Sequence, residues 1–116
     1  ADNAFSNEPV PVEEMESHLR IADFAVLIAP DFTKLRAHTP NDNSVRDNLI
    51  FETGLLMGSV SRHRTYLLTP EGCPKEIPTD SLGLTPLFYN PNDPPDLAMA
   101  PVANEIRSII VSIGPR

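Results

Sequence analysis

The order of apolar segments in this chain predicts an α/β fold built on a parallel sheet. The run "FAVLIA" (residues 24–29) is apolar throughout and is closed by Pro30, which is the pattern of a strand buried on both faces. "TYLL" (65–68) and "LFY" (87–89) are typical of a second and a third buried strand. Helical patterns separate and flank these runs, so the sequence predicts a doubly wound sheet with helices on both faces.

Three helices are predicted from apolar spacing and from capping or proline signals. They cover about 11–21, 45–61 and 101–113, the second beginning with a capping box of Ser44 and Asp47 and the third with Pro101. Prolines between the second and third strands forbid a long helix there and leave one short turn at 79–82. Residues 30–44 are polar and are expected to form a long functional loop.

Composition limits the classes of function that the chain can have. It has 116 residues, nine Lys and Arg against sixteen Asp and Glu, and a net charge of -7, which disfavours a broad nucleic-acid partner. The single cysteine, Cys73, excludes an intrachain disulfide, and no ligand set for zinc is present. No apolar run approaches the roughly 20 residues of a membrane span. We therefore expect one cytoplasmic domain or part of one, with no metal and no membrane partner.

Glu52 lies in the otherwise apolar segment "RDNLIFETGLLMG" (46–58). Its helical neighbours are Asn48, Leu49, Leu55 and Leu56, so its face of the helix is mostly apolar, although an outward-facing glutamate is the simpler alternative. Because a carboxylate without partners is costly to bury, we predict that Glu52 is mostly buried for a functional reason and faces a pocket at the carboxyl end of strand 24–29.

Two glycines in the same helix, Gly54 and Gly58, are each expected to cost about 1 kcal/mol relative to alanine. Such a cost inside a helix suggests that another backbone or a ligand approaches closely.

Four blocks of the sequence together resemble a known family. "ADFAVLIAPDF", "VRDNLIFETGLLMG", "SRHRTYLL" and "IPTDSLGLTPLFY" are similar in order and spacing to bacterial TIR-like domains of antiphage effectors, which are found fused to STING or SAVED sensor modules. The chain departs from the family pattern at Thr53, where an aliphatic residue is usual, and at "SRHRT", where a glycine is common.

The resemblance implies a flavodoxin-like TIR domain with five parallel strands. The family's first strand, first helix and second strand precede the stretch that aligns, so residues 1–116 would be the C-terminal two thirds of the domain. Residues 1–10 would then correspond to the loop after the second strand, which in TIR domains mediates assembly and closes the nucleotide site.

Enzymatic members of this family cleave NAD+ between nicotinamide and ribose, and the motif places their catalytic glutamate at Glu52. The nicotinamide departs as a neutral molecule, so a carboxylate that stabilises the oxocarbenium-like sugar is sufficient and no general acid is needed. NAD+ is the substrate and no further cofactor is expected. The predicted substrate-binding residues are Phe5, Asp31, Phe32, Arg46 and Asn48. Phe5 or Phe32 could stack on a base, and Arg46, or alternatively Arg36, could bind the pyrophosphate.

The function implied by the resemblance is an NAD+ glycohydrolase that is activated when an attached or associated cyclic-nucleotide sensor drives TIR–TIR self-assembly. Two alternatives remain open from the sequence. One is a TIR scaffold that assembles without catalysis, which would not need a glutamate on an apolar face. The other is a nucleoside deoxyribosyltransferase-like hydrolase, in which a glutamate is the nucleophile.

Overall fold

The computed structural model describes residues 12–73 and 76–115, and within them a parallel sheet carries helices on both faces. The strands are β1 (Ala25–Ile28), β2 (Thr65–Pro70) and β3 (Thr85–Tyr89), in the spatial order β1-β2-β3. Both neighbouring pairs are parallel. The predicted α/β fold with a parallel sheet is confirmed. Residues 1–10, which were expected to form the loop after the family's second strand, lie outside the described residues.

Five α-helices occur in the described part of the chain, and none of them is long and apolar enough to cross a membrane. They are α1 (Val12–Leu19), α2 (Phe32–His38), α3 (Ser44–Val60), α4 (Thr79–Leu82) and α5 (Pro95–Ile113). The spans predicted for α3 and α4 agree with the structure to within one residue.

The predicted loop at 30–44 is partly wrong, because it contains α2. Asp31 caps this helix: its Oδ1 accepts hydrogen bonds from the backbone amides of Thr33 (3.0 Å) and Lys34 (3.3 Å). Phe32 anchors the helix, since only 2% of its surface is exposed. A helix of two turns with a single buried anchor has too little apolar periodicity to be predicted from the sequence.

The predicted starts of α3 and α5 also need correction. Ser44 is the first helical residue of α3 and not its cap; the N-cap is Asn43, which makes no capping hydrogen bond through its side chain. α5 begins at Pro95, six residues before Pro101, which lies inside the helix. Pro95 is suited to the first helical turn, and Pro101 is tolerated on an exposed face, where the carbonyl that loses its partner can be hydrated.

The core lies in two layers on either side of β2. On the α3 side the buried residues include Ala29, Phe32, Leu49, Leu67 and Ile77. On the α5 side they include Tyr66, Leu68, Leu87 and Val102. The central strand β2 is therefore covered on both faces, as a parallel sheet requires.

β1 is less covered than its sequence predicts. Val26 and Ile28 pair in register with Tyr66 and Leu68 on the α5 face, yet 38% and 62% of their surfaces are exposed. α5 packs against β3 and the adjoining side of β2, and β1 pairs with β2 alone among the described strands. The prediction that residues 24–29 are buried on both faces is thus wrong. One edge of β1 has no strand partner among the described residues, and we call it the free edge of β1.

Candidate functional site

α3 carries Glu52 beside the core and not within it. The buried stripe of this helix consists of Leu49, Thr53, Leu56 and Val60, which recur at helical spacing and face the sheet. Glu52 lies about 100° around the helix axis from Thr53, so it is on the flank of this stripe. Its side chain is accordingly half-buried.

The two flanks of α3 face different parts of the molecule. Arg46 and Ile50 lie on one flank, where they line a groove with residues 76–81, the segment that includes the start of α4. Glu52 lies on the opposite flank. α4 lies on the β2–β3 side of α3, since its Thr79 lines a pocket with Leu67 of β2 and Pro86 of β3. The flank of α3 that carries Glu52 is therefore turned toward the β1 edge of the sheet.

Asn48 holds the carboxylate of Glu52. Its side-chain Nδ2 donates a hydrogen bond of 2.8 Å to Oε1 of Glu52, one helical turn further along α3. Asn48 is exposed to solvent, so the pair lies at the border between the core stripe and the surface. The structure therefore joins two of the predicted site residues directly.

The predicted pocket for Glu52 at the carboxyl end of β1 is not confirmed. Leu49 packs with Ala29 and Phe32, which follow the carboxyl end of β1. Glu52 is three residues further along α3, about 4.5 Å toward the opposite edge of the sheet. Glu52 is therefore displaced from the carboxyl end of β1, where its pocket was predicted.

Among the described residues, two pockets lie on the α3 side of the sheet, and Glu52 lines neither of these two. The first, of about 40 Å³, lies beneath the segment after β2 and includes Cys73, Ile77 and Phe88 in its lining. The second is the open groove beside Arg46, with a volume of about 430 Å³. A nucleotide needs roughly 300–1,000 Å³, so of these two pockets only the groove is large enough, and it lies on the opposite flank of α3 from Glu52.

The remaining predicted substrate-binding residues that the structure describes are not gathered around Glu52. Phe32 belongs to the core and is not available for stacking on a base. Arg46 lies on the opposite flank and forms an ion pair with Asp47 (3.0 Å between Nη2 and Oδ1). Asp31 caps α2, and Phe5 lies outside the described residues.

Asp31 and Cys73 form a second polar contact, at the carboxyl edge of the sheet. The thiol of Cys73 donates to Oδ1 of Asp31 at 3.2 Å. This bond, together with the backbone amides of Lys34 and Thr33, holds the pKa of Asp31 below its ordinary value. The thiol thereby joins the segment after β2 to the segment after β1, which gives Cys73 a structural contact that the sequence did not predict.

Arg36 forms a set of hydrogen bonds that the sequence did not predict. Its Nε and Nη2 each donate a 2.7 Å hydrogen bond to the carboxylate of Glu76, and Nη1 donates to the backbone carbonyl of Asp42 at 2.7 Å. A fourth bond runs from Nη2 to Oδ1 of Asn43 at 3.0 Å. The guanidinium is therefore engaged with protein groups, and the earlier suggestion that Arg36 binds a pyrophosphate is not supported.

Thr53, the departure from the aliphatic pattern, is almost fully buried next to Glu52. Only 1% of its surface is exposed, and its hydroxyl donates to the backbone carbonyl of Leu49 at 2.7 Å. This local bond satisfies the polar group without a partner outside the helix. The change from an aliphatic residue thus leaves the core stripe of α3 intact.

The close approach expected at Gly54 and Gly58 does not occur within the described chain. Both glycines are exposed, and a Cβ built on either would have no atom within 4 Å, apart from chain neighbours and the backbone of α3 itself. The contact that would explain these glycines is not made by the described residues.

Fold and site together define an α/β domain with a half-buried carboxylate beside the free edge of its parallel sheet. The chain belongs to the CAP12/Pycsar effector family of TIR domains, since the family model "CAP12/Pycsar effector protein, TIR domain" matches residues 1–91. The predicted resemblance to bacterial TIR domains of antiphage effectors is therefore confirmed.

Curated relatives agree with this assignment. The chain is 35% identical over 108 residues to the Pycsar effector protein PaPycTIR of Pseudomonas aeruginosa, covering 90% of this chain and 35% of that protein. It is 33% identical over 105 residues to BcPycTIR of Burkholderia cepacia, covering 89% of this chain and 35% of that protein. CD-NTase-associated protein 12 of Sphingobacterium faecium is 29% identical over 113 residues, covering 96% of this chain and 34% of that protein.

The chain spans about a third of the length of these curated relatives. No solved structure matches it significantly.

Proposed function

We propose that this TIR domain is an NAD+ glycohydrolase with Glu52 as its catalytic residue. The observation that carries the proposal is the position of Glu52: a half-buried carboxylate, fixed by Asn48, on the flank of α3 that faces the free edge of β1. Surface glutamates are usually unconstrained, so a carboxylate that is both partly buried and held in one orientation is a candidate for electrostatic catalysis.

The reaction breaks the bond between C1′ of the ribose and the nicotinamide nitrogen, and both electrons of the bond leave with the nicotinamide. The positive charge of the pyridinium is thereby transferred to the sugar. The carboxylate of Glu52 stabilises this oxocarbenium-like sugar until water adds to C1′ and releases its proton to solvent. The products are nicotinamide, ADP-ribose and a proton.

The site is completed by parts of the protein that pack beside β1. The groove beside Arg46 lies on the other flank of α3 from Glu52, and no strand among the described residues covers the free edge of β1. We propose that a neighbouring strand and the loop that follows it close the nucleotide site there. The relatives are effector proteins by name, and we propose that a cyclic-nucleotide sensor in the whole protein drives the TIR–TIR assembly that completes the pocket.

The test is to incubate the full-length protein that bears this domain with NAD+ and, separately, with deoxynucleosides. The protein is assayed dilute and then immobilised at high density on resin, which forces the domains together. We expect nicotinamide from NAD+ on the resin, little from the dilute protein and no free base from deoxynucleosides. Base release from deoxynucleosides would favour the deoxyribosyltransferase-like alternative, and no turnover of either substrate on the resin would favour a non-catalytic scaffold.

A further inference from the structure

Asn48 and Glu52 lie one turn apart on the same flank of α3, where their side chains are neighbours. A glutamate side chain has three rotatable bonds, and the helix fixes only its Cα. The 2.8 Å hydrogen bond from Nδ2 to Oε1 restricts the carboxylate to orientations in which Oε1 is turned toward Asn48. The second oxygen, Oε2, is then directed away from the amide.

We propose that Asn48 is a positioning residue for Glu52: it holds Oε1 and leaves Oε2 to face the ribosyl cation of the NAD+ cleavage proposed above, on which this inference rests. Asn48 would then act through Glu52 and not by contact with the substrate. Its role differs from the substrate-binding role predicted from the sequence.

The chemistry of the donor supports this assignment. An amide is neutral, so it can orient a carboxylate without cancelling its negative charge. A lysine or arginine in the same place would also donate a hydrogen bond, but it would neutralise the charge that the developing cation requires. The nearby guanidinium of Arg46 lies on the other flank and is paired with Asp47, so it does not fill this role.

Because Asn48 is exposed, its effect on catalysis can be measured without an accompanying effect on folding. Its side chain is outside the core stripe of α3, and its replacement removes no buried packing. Variants at this position are therefore expected to fold as the wild-type protein does.

The experiment measures nicotinamide release by the full-length protein on resin for Asn48→Gln, Asn48→Ala and Asn48→Lys, with Asn104→Ala as a control. Asn104 is an exposed asparagine on α5. We expect Asn48→Gln, which keeps a neutral amide donor, to retain most of the wild-type kcat. Asn48→Ala should lower kcat about tenfold with KM nearly unchanged. Asn48→Lys should lower kcat about a hundredfold, although it retains a donor. Asn104→Ala should match the wild type, and all variants should keep its Tm.

Three outcomes would overturn the positioning role. They are an unchanged kcat for Asn48→Ala, a raised KM with unchanged kcat, which would indicate substrate contact, and an Asn48→Lys variant as active as Asn48→Gln. If the wild type releases nicotinamide and Glu52→Gln does not, any of these outcomes refutes only the role of Asn48 and leaves the proposed function standing. If the wild type releases none, the proposed function fails, and the inference fails with it.

Discussion

Arg36 and Glu76 form a bidentate ion pair across 40 residues of sequence, with both hydrogen bonds at 2.7 Å. The pair joins the end of α2 to the segment before α4, and the same guanidinium holds the turn that precedes α3 through Asp42 and Asn43. The start of α3 is thereby fixed relative to the segment between β2 and β3.

The ion pair predicts a pH dependence of stability. The hydrogen bonds that Arg36 donates lower the pKa of Glu76 from its ordinary value of 4.5. The native state therefore favours the ionised carboxylate. The stabilisation is therefore present above pH 4.5 and is lost as the pH falls through the lower, folded-state pKa. Glu76→Gln should reduce Tm at pH 7, and the difference from the wild type should shrink as the pH falls below 4.5.

Thermal unfolding of the full-length protein, followed by circular dichroism from pH 7 to pH 3, measures this effect. Glu71→Gln, an exposed glutamate just after β2, is the matched control and should leave Tm unchanged. A constant Tm difference between Glu76→Gln and the wild type at every pH would contradict the explanation.

The glycines of α3 predict gains in stability. Because neither Gly54 nor Gly58 has a close neighbour, alanine at either position should add about 1 kcal/mol to the free energy of unfolding through the lower entropy of the unfolded chain. Gly72, at φ +77°, is the control, and its replacement by alanine should destabilise the fold. Chemical denaturation of the three variants measures the two expected gains and the one expected loss in the free energy of unfolding. Loss of stability in Gly54→Ala and Gly58→Ala would show that the two positions are packed against another part of the whole protein.

The 116-residue polypeptide alone is predicted neither to unfold cooperatively nor to cleave NAD+. Val26 and Ile28 are exposed on one face of β1, and one edge of that strand has no partner among the described residues. Unpaired backbone at the edge and uncovered apolar surface both weaken the folded state. Circular dichroism and an assay for nicotinamide test this expectation. A sharp unfolding transition together with NAD+ cleavage by the polypeptide would refute it.

Some parts of this structure could be predicted because their signals are local. The apolar runs of β1, β2 and β3 and the long periodic stretch of α3 each lie within one segment of sequence. The proximity of Asn48 and Glu52 also follows from their spacing, since residues four apart on a helix are neighbours.

Other parts depend on contacts that no local pattern encodes. The Arg36–Glu76 pair joins residues 40 apart, and the burial of Phe32 depends on Leu67 and Ile77 from distant segments. The exposure of β1 on its α5 face was missed because an apolar run indicates how much surface a strand can bury, not which neighbours bury it.

Nicotinamide release by Glu52→Gln tests the central claim most directly. Glutamine keeps the size of the side chain and can still accept the hydrogen bond from Asn48, but it removes the charge that stabilises the oxocarbenium-like sugar. The full-length protein is assembled on resin and compared with Glu105→Gln, an exposed glutamate on α5. Glu52→Gln is predicted to lower turnover a hundredfold or more, roughly 3 kcal/mol, while assembly and Tm are unchanged. Equal rates for Glu52→Gln, Glu105→Gln and the wild type would contradict the assignment of Glu52 as the catalytic residue.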